Sequence, residues 1–121
     1  MKLLNKILYE VKKSKFAAYY YEVDSIENVE QIISNIKQNN KKAKHIPYAY
    51  KINGLSKKND DKEPSNTAGS PILNIIEKKN LNNVLIIIPR YFGGIKLGAG
   101  GLIRTYAKAA NIVTEKENFK T

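Results

Sequence analysis

The sequence predicts a single α+β domain, a two-layer α/β sandwich in which the helices pack on one face of a mixed sheet. Residues 84–88 form an uninterrupted apolar run, which is typical of a strand covered on both faces. Residues 25–39 carry isoleucine and valine at helical spacing. Strand-like and helix-like segments alternate along 121 residues, a length that suits one domain.

The first half of the chain predicts two strands, a helix and a third strand. Residues 15–23 are rich in aromatic side chains and predict a strand, with residues 7–12 as its preceding partner. Asp24 and Glu27 resemble a capping box at the start of the helix. Apolar side chains then alternate along residues 45–52, which predicts a half-buried strand.

The second half begins with residues 54–66, which are polar and charged and therefore indicate a surface loop or an irregular edge. Ser70 and Pro71 predict the N-cap and first position of a helix that ends near Lys79. After the buried strand, a last helix is expected from about Leu102.

Composition limits the possible functions. The net charge of +10 predicts attraction to nucleic acid and other polyanions, although a lysine-rich composition can also produce a merely solvated face. The absence of cysteine excludes disulfides and thiolate metal sites. No apolar run approaches the ~20 residues of a membrane span, and no signal peptide is recognisable at the N-terminus. We therefore expect a cytoplasmic location and no membrane partner.

A glycine-rich segment, residues 90–104, holds five of the seven glycines and the only two arginines. Clustered glycine indicates positive φ angles or a close approach to the backbone. Such a segment at the start of a helix presents free N–H groups and a positive dipole, which suit a phosphate or a carboxylate. The alternative is that the glycines serve tight packing and that Arg104 ties the helix to the acidic loop. The candidate anion-binding or nucleic-acid-binding residues are Arg90, Gly93, Gly94, Lys96, Gly98, Gly100, Gly101 and Arg104.

The glycine spacing matches neither a P-loop nor a dinucleotide-binding fingerprint, which excludes ATP hydrolysis and NAD binding. An acidic loop, residues 60–69, is the second candidate region. Its carboxylates either hold Mg²⁺ or, as we expect, cap turns and pair with basic residues, so that no cofactor is required. The candidate residues of this loop are Asp60, Asp61, Glu63, Pro64, Ser65, Thr67 and Gly69.

His45 is the only histidine. It is either a general base near Asp60 or Asp61 or, as we expect, a hydrogen-bonded structural residue. The catalytic candidates are therefore His45, Asp61 and Glu63. The tyrosines at 19–21, 48 and 50 either stack on nucleobases or, for most of them, belong to the core.

Taken together, four segments resemble the IMPACT family, known in bacteria as the YigZ-type proteins: residues 13–16, residues 43–50, residues 60–71 and residues 90–106. The resemblance implies a fold like domain two of ribosomal protein S-five and domain IV of elongation factor G, both of which act on RNA or the ribosome. It also implies a role in translation, since eukaryotic members modulate the kinase pathway that limits initiation, by competing for the kinase's activator.

The chain departs from the family pattern in the acidic loop, where Lys62 and Asn66 stand in place of two glycines. Asn tolerates left-handed backbone better than Lys does. Bacterial members usually carry a small C-terminal domain as well. Residues 1–121 are expected to form one N-terminal-type domain without it.

Three functions remain open. We favour a non-enzymatic binding domain in translation or its regulation, which holds RNA phosphate, on the ribosome or elsewhere, or an acidic protein surface through Arg90, Lys96, Arg104 and the loop amides. The first alternative is a small phosphoester-acting enzyme that uses His45 with Asp60, Asp61 and Glu63. The second is a protein-interaction module. The favoured function requires the acidic loop and the glycine-rich segment to meet in space.

Overall fold

The computed structural model describes residues 1–116 and confirms the α+β class. In chain order the elements are β1 (Lys2–Val11), β2 (Ser14–Glu22), α1 (Ile26–Asn39), β3 (Tyr48–Ile52), β4 (Leu55–Asn59), α2 (Gly69–Lys78), β5 (Val84–Ile87), β6 (Arg90–Tyr91) and α3 (Gly98–Val113). The strands form one sheet in the order β1-β2-β5-β3-β4, with β6 pairing to β2. No helix in this part of the chain is long and apolar enough to cross a membrane.

The prediction of a mixed sheet was wrong, because every strand pairing described is antiparallel. Two hairpins close through positive-φ residues, Lys12 and Lys13 in one and Asn53 and Gly54 in the other. The crossover from β2 through α1 to β3 joins strands that run in the same direction. Since β5 lies between them and pairs with both, no parallel pair forms.

The prediction that the helices pack on one face was also wrong, because the molecule has three layers. One core cluster joins α2 and α3 to the sheet through Ile86 and Ile88 of the β5 region. The other joins α1 to the opposite face through Leu85 and Ile87. Alternate residues of a strand point to opposite faces, so the fully buried run that ends at Ile88 requires a cover on each side.

Helix α1 begins one residue after its predicted start, with Ser25 as the N-cap. The Ser25 hydroxyl accepts a hydrogen bond from the Asn28 amide at 3.2 Å, and the Asn28 side chain accepts one from the Asp24 amide at 3.1 Å. Ser25 therefore caps the helix, and the Asn28 side chain reaches back one residue beyond the N-cap, so the predicted capping box of Asp24 and Glu27 does not form.

Helices α2 and α3 start earlier than predicted. Helix α2 begins at Gly69 and has no side-chain hydrogen bond from its own N-cap, Ala68. Helix α3 begins at Gly98, whereas apolar spacing placed its start near Leu102. Its first turn is built from glycine and alanine, which carry no amphipathic signal. The predicted loop 54–66 contains the exposed edge strand β4.

Candidate functional site

A buried ion pair joins the acidic loop to the glycine-rich segment. The Arg90 Nε atom lies 2.6 Å from Oε2 of Glu63, and its Nη2 atom lies 2.8 Å from Oε1. The Tyr106 hydroxyl of α3 donates to the same Oε2 at 2.5 Å. The side-chain exposures of Arg90 and Glu63 are 7% and 1%. The two segments that sequence singled out are therefore in direct contact.

Burial and charge shift the pKa of two members of this cluster, Arg90 and Tyr106. Desolvation opposes the charge of Arg90, but hydrogen bonds and the nearby charge of Glu63 raise the pKa of the guanidinium above its ordinary value. Burial raises the pKa of the Tyr106 hydroxyl, and the charge of Glu63 raises it further. The charge of Arg90 is thus balanced by Glu63 inside the protein. Contact between Arg90 and an anion from outside the protein stays a prediction.

His45 stands beside this ion pair, held by the acidic loop. Its Nδ1 atom lies 2.8 Å from the backbone carbonyl oxygen of Asp61. Because a carbonyl only accepts, Nδ1 carries the hydrogen, and Nε2 faces Oε1 of Glu63 at 3.6 Å. The Asp61 carboxylate accepts the Ile46 amide at 2.6 Å. The backbone carbonyl of Asp61 therefore positions the histidine, and its carboxylate fixes the backbone at Ile46, two residues before β3.

Asp60 performs a different structural task. Its Oδ1 accepts the amides of Ala68 at 3.2 Å and Gly69 at 2.8 Å, and its Oδ2 accepts the Asn66 amide at 2.9 Å. Asp60 thus caps α2 from across the loop, which the proximity of Ser70 and Pro71 did not indicate. Within residues 1–116, no group of three His, Cys, Asp or Glu side chains is placed to hold a metal ion.

A cavity of about 300 Å³ opens where these groups meet the start of α3. Its wall combines the ion pair and the histidine with apolar side chains and two lysines. The lining residues are Lys44, His45, Glu63, Pro64, Arg90, Phe92, Lys96, Leu97, Gly98, Ala99 and Leu102.

The cavity is cationic in balance. Among residues 1–116, Glu63 is the only carboxylate in its wall, and Arg90 neutralises it. Lys44 lies 4.6 Å from the centre of the Phe92 ring, and Lys96 is exposed at the rim. The first turn of α3, from Gly98, has no side-chain cap, so its N–H groups and the positive end of its dipole add to the lysine charges.

Residues 12–114 match the Impact N-terminal domain model. The chain belongs to the IMPACT family. The IMPACT family member YvyE of Bacillus subtilis is 41% identical over 104 residues, which cover 84% of this chain and 48% of YvyE. This chain therefore spans about half the length of the curated relatives it matches.

Two solved structures share the fold. One, described as a hypothetical protein, superposes with a TM-score of 0.89 at 24% identity and covers 99% of this chain and 63% of its own. The other, the two-domain translational regulator Yih1, has a TM-score of 0.54 at 24% identity and covers 92% of this chain and 45% of its own. At this identity both likenesses show the fold alone.

The two departures from the family's acidic loop both occupy left-handed backbone in this IMPACT domain. Lys62 has a φ of 68° and Asn66 a φ of 63°. Glycine adopts these angles without strain, whereas a side chain opposes them, Asn less than Lys. The loop therefore keeps the backbone that glycine would give, with some strain at Lys62.

The remaining residues of the acidic loop in the IMPACT domain support its shape. The Thr67 hydroxyl donates to the Pro64 carbonyl at 2.6 Å. Gly69 lies so close to the backbone of Asn59 in β4 that an added Cβ would stand 3.0 Å from the Asn59 nitrogen. Ser65 is exposed and does not line the cavity.

Most glycines of the 90–104 segment lie outside the cavity wall. Gly93 packs on the backbone of Lys13, where a side chain would overlap the carbonyl, and Gly94 needs its positive φ of 94°. Gly101 packs on Leu97. Arg104 is exposed, lies over Gly100 of its own helix and does not line the cavity.

Five lining residues were not among the sequence candidates: Lys44, Phe92, Leu97, Ala99 and Leu102. Lys44 lies within the segment that resembled the family, directly before His45, and Phe92 lies within the glycine-rich segment. Their positions were visible in sequence, but their shared orientation toward one cavity depends on the antiparallel bridge between His45 and Arg90.

Proposed function

We propose that this IMPACT domain is a non-enzymatic module in the regulation of translation that binds RNA. It holds a backbone phosphate in the cavity at the start of α3. One observation carries the proposal: the single carboxylate of the cavity is balanced internally, while Lys44, Lys96 and the helix N-terminus are left without a balancing anion in the wall.

The chemistry of the cavity suits a phosphate group. Lysine ammonium groups and helical N–H groups donate hydrogen bonds and attract negative charge, and both act strongly on a singly or doubly charged oxyanion. Basic residues outnumber acidic ones over the whole chain, which gives a net charge of +10. This charge favours an anion that is part of a long polyanion.

The translational part of the proposal comes from the family. Membership of the IMPACT family is shown by the match over residues 12–114, and Yih1, which shares the fold, is described as a translational regulator. The resemblance of the sequence to RNA- and ribosome-acting domains agrees with an RNA partner. Because relatives extend well beyond the matched region, the proposal concerns this domain alone.

A salt titration of RNA binding tests the site. We expect Lys44→Ala with Lys96→Ala to weaken binding of a fluorescent single-stranded RNA and to reduce the salt slope by about 0.7, the value for the one phosphate that the cavity holds. The matched control, Lys2→Ala with Lys108→Ala, removes the same charge from exposed positions outside the cavity. It should change both quantities much less.

Equal effects from the two lysine pairs would show that RNA is attracted by overall charge and not by the cavity. If RNA does not bind at all, while an acidic protein is captured from a lysate treated with RNase and is lost with Lys44→Ala and Lys96→Ala, the partner is a protein surface. That result would support the protein-interaction function instead. Arg90→Ala is unsuitable here, because it leaves Glu63 buried without its partner.

One observation favours a second candidate, the phosphoester-acting enzyme. The Asp61 carbonyl fixes the hydrogen on Nδ1 of His45, so Nε2, which faces Glu63 at the cavity wall, is the ring atom available for proton transfer. The part of the chain that the structure describes contributes no hydroxyl or thiol nucleophile to the wall, which favours binding over catalysis. Turnover of generic phosphoesters, with or without Mg²⁺, that is lost in His45→Gln would establish the enzyme. Activity that survives His45→Ala with Asp61→Asn would rule out these residues.

A further inference from the structure

Helix α1 does not cover the part of its sheet face that β1 contributes. The core cluster under α1 contains residues of β2, β3 and β5 but, among its buried and partly buried members, none of β1. Leu3 and Leu8 of β1 are 46% and 63% exposed. The sheet therefore presents a partly apolar surface beside α1, over β1 and β2.

Three tyrosines lie on this surface, and we call them the tyrosine platform: Tyr19, Tyr21 and Tyr91. Alternation along β2 places Tyr19 and Tyr21 on the α1 face, and Tyr91 of β6 pairs with Lys15 of the same face. All three side chains are half-buried, so part of each remains accessible. For the tyrosines at 19–21 the sequence left two roles open, core packing and base stacking. The structure divides them, because Tyr20 belongs to the core on the other face of the sheet.

The three phenols are close enough to influence one another. Desolvation raises the pKa of Tyr21 and of Tyr91, and the charge of Tyr19 raises both further. The raised pKa keeps the Tyr21 and Tyr91 phenols neutral at physiological pH. A neutral ring face can stack on a nucleobase without repelling the adjacent phosphate.

Basic and amide side chains surround the platform. Lys6 lies 4.9 Å from the centre of the Tyr19 ring, and Lys15 is exposed on the same face. Next to Tyr91 is a hollow of about 330 Å³ whose other lining residues are Gln38, Asn39, Asn40, Lys41 and Lys42. The Tyr91 hydroxyl donates to the Asn40 side chain at one side of this hollow. None of the described residues that line the hollow is acidic, and the acid of β1 on this face, Glu10, stands opposite Lys15.

We propose that the tyrosine platform binds unpaired bases of single-stranded RNA, with Lys6, Lys41 and Lys42 contacting the phosphates between them. The proposal rests on the proposed function for its polymer and adds the strandedness of that polymer. Each base has a π-face that stacks on an aromatic side chain, while bases in a duplex are already stacked on each other. The platform selects against paired RNA for this reason.

The platform and the cavity are joined around β6. Arg90 and Phe92 line the cavity, and Tyr91 between them belongs to the platform. The segment 40–44 follows the same border, with Lys41 and Lys42 at the hollow and Lys44 at the cavity. One strand of RNA that crosses this border reaches both sites.

A second copy of the chain would be the other occupant of an exposed apolar sheet face. The charges argue against it, because a symmetric pairing would bring Lys6 and Lys15 of each copy toward those of the other. A polyanion, in contrast, balances them. Charge complementarity therefore selects RNA as the occupant.

The test compares two fluorescent ligands, a ten-nucleotide oligouridylate and an abasic ribose-phosphate chain of the same length. Tyr19→Leu with Tyr21→Leu keeps the side chains apolar but removes the rings. We expect it to weaken binding of the base-bearing ligand about tenfold and to leave abasic binding unchanged. The matched control, Tyr19→Phe with Tyr21→Phe, keeps the rings and should bind both ligands as the unaltered protein does.

Equal affinities of the leucine and phenylalanine pairs for oligouridylate would overturn the proposal, as would equal competition by double-stranded and single-stranded RNA. A third outcome would also overturn it: the unaltered protein self-associates, Leu8→Lys makes it monomeric, and neither tyrosine pair changes the affinity for RNA. If the leucine pair unfolds, Tyr91→Leu against Tyr91→Phe gives the same comparison at the short strand β6. The lysine pair Lys44→Ala with Lys96→Ala lowers the affinity for both ligands, so failure of the cavity and failure of the platform are distinguishable.

Discussion

The acidic loop and the glycine-rich segment meet in space, but they use their charged groups in opposite ways. In the acidic loop Asp60 caps α2, Asp61 holds His45 and Ile46, and Glu63 balances Arg90. In the glycine-rich segment, by contrast, Lys96 and the first turn of α3 are exposed. The carboxylates of the acidic loop are committed to the fold, and Arg90 is committed with them. Lys96 and the first turn of α3 are open to solvent, where we propose that a partner binds.

This difference shows that a cluster of carboxylates in sequence can serve as a structural support beside a cavity of the opposite charge. Three acids within four positions look like metal ligands or catalytic groups. Each is instead matched by donors from the protein itself, so the loop builds one wall of a cationic cavity. Substitutions in the loop should therefore reduce stability, and substitutions in the segment should reduce binding.

The largest expected effect is at Glu63. We expect Glu63→Ala to destabilise the fold by about 3–5 kcal/mol, because it leaves the Arg90 guanidinium buried without its partner. Urea unfolding measures the change. Replacing both partners, Glu63→Leu with Arg90→Met, should recover most of the loss. If the single and double variants unfold alike, the ion pair is not what holds the two segments together.

Gly93→Ala probes the packing role of a glycine in the binding region. An added Cβ would overlap the Lys13 carbonyl, so we expect a loss of about 1–3 kcal/mol in the free energy of unfolding. Gly94→Ala is the control, since space is open there and only the positive φ opposes a side chain. A smaller loss at Gly93 than at Gly94 would contradict the described backbone contact.

Asp60→Ala removes the acceptor of the Asn66, Ala68 and Gly69 amides. We expect a loss of about 1–2 kcal/mol, the range of an N-cap, measured by thermal unfolding. Asp60→Asn retains one side-chain oxygen as an acceptor and should lose less. Addition of Mg²⁺ should not stabilise the unaltered protein; a rise in melting temperature that requires Asp60 would show that the loop binds a metal.

The smallest effect is expected at Glu77, an exposed carboxylate that serves as a contrast to Glu63. Hydrogen bonds from Ser56 and then from Lys51 lower the pKa of Glu77. A carboxylate whose pKa is lowered by folding contributes to the free energy of unfolding at pH values above its unfolded pKa. This contribution is lost as the pH falls through its folded pKa. Glu77→Gln should therefore melt slightly lower than the unaltered protein at neutral pH, and the difference should vanish in acid. If the difference in melting temperature does not depend on pH, it does not arise from the ionisation of Glu77.

The sequence predicted much of the fold, because apolar periodicity reports burial directly. The strand of residues 84–87 and helix α1 lie within one residue of their predicted limits. The layer arrangement was wrong although its main clue was present. A run of apolar residues that requires cover on both faces is incompatible with helices on one face alone.

The candidate site was predicted in its components but not in their partners. Clustered acidic residues identify one segment and clustered glycines the other. Their positions in the sequence do not show that Glu63 contacts Arg90 and Tyr106, because the sheet and α3 bring these residues together. Asp60 could not be assigned as the cap of α2, because local sequence offered Ser70 for that position. Long-range hydrogen bonds decide which charges are committed, and they follow from tertiary structure.

Backbone amide NMR during titration with short single-stranded RNA tests the central claim most directly. The signals of residues 96–100 should move as RNA binds, because these amides lie at the cavity rim and in the uncapped first turn of α3. The amide signals of Asn66, Ala68 and Gly69 should keep their positions, because these amides already donate hydrogen bonds to Asp60. Movement of the acidic-loop amides, with residues 96–100 unchanged, would contradict the division of roles between the two regions.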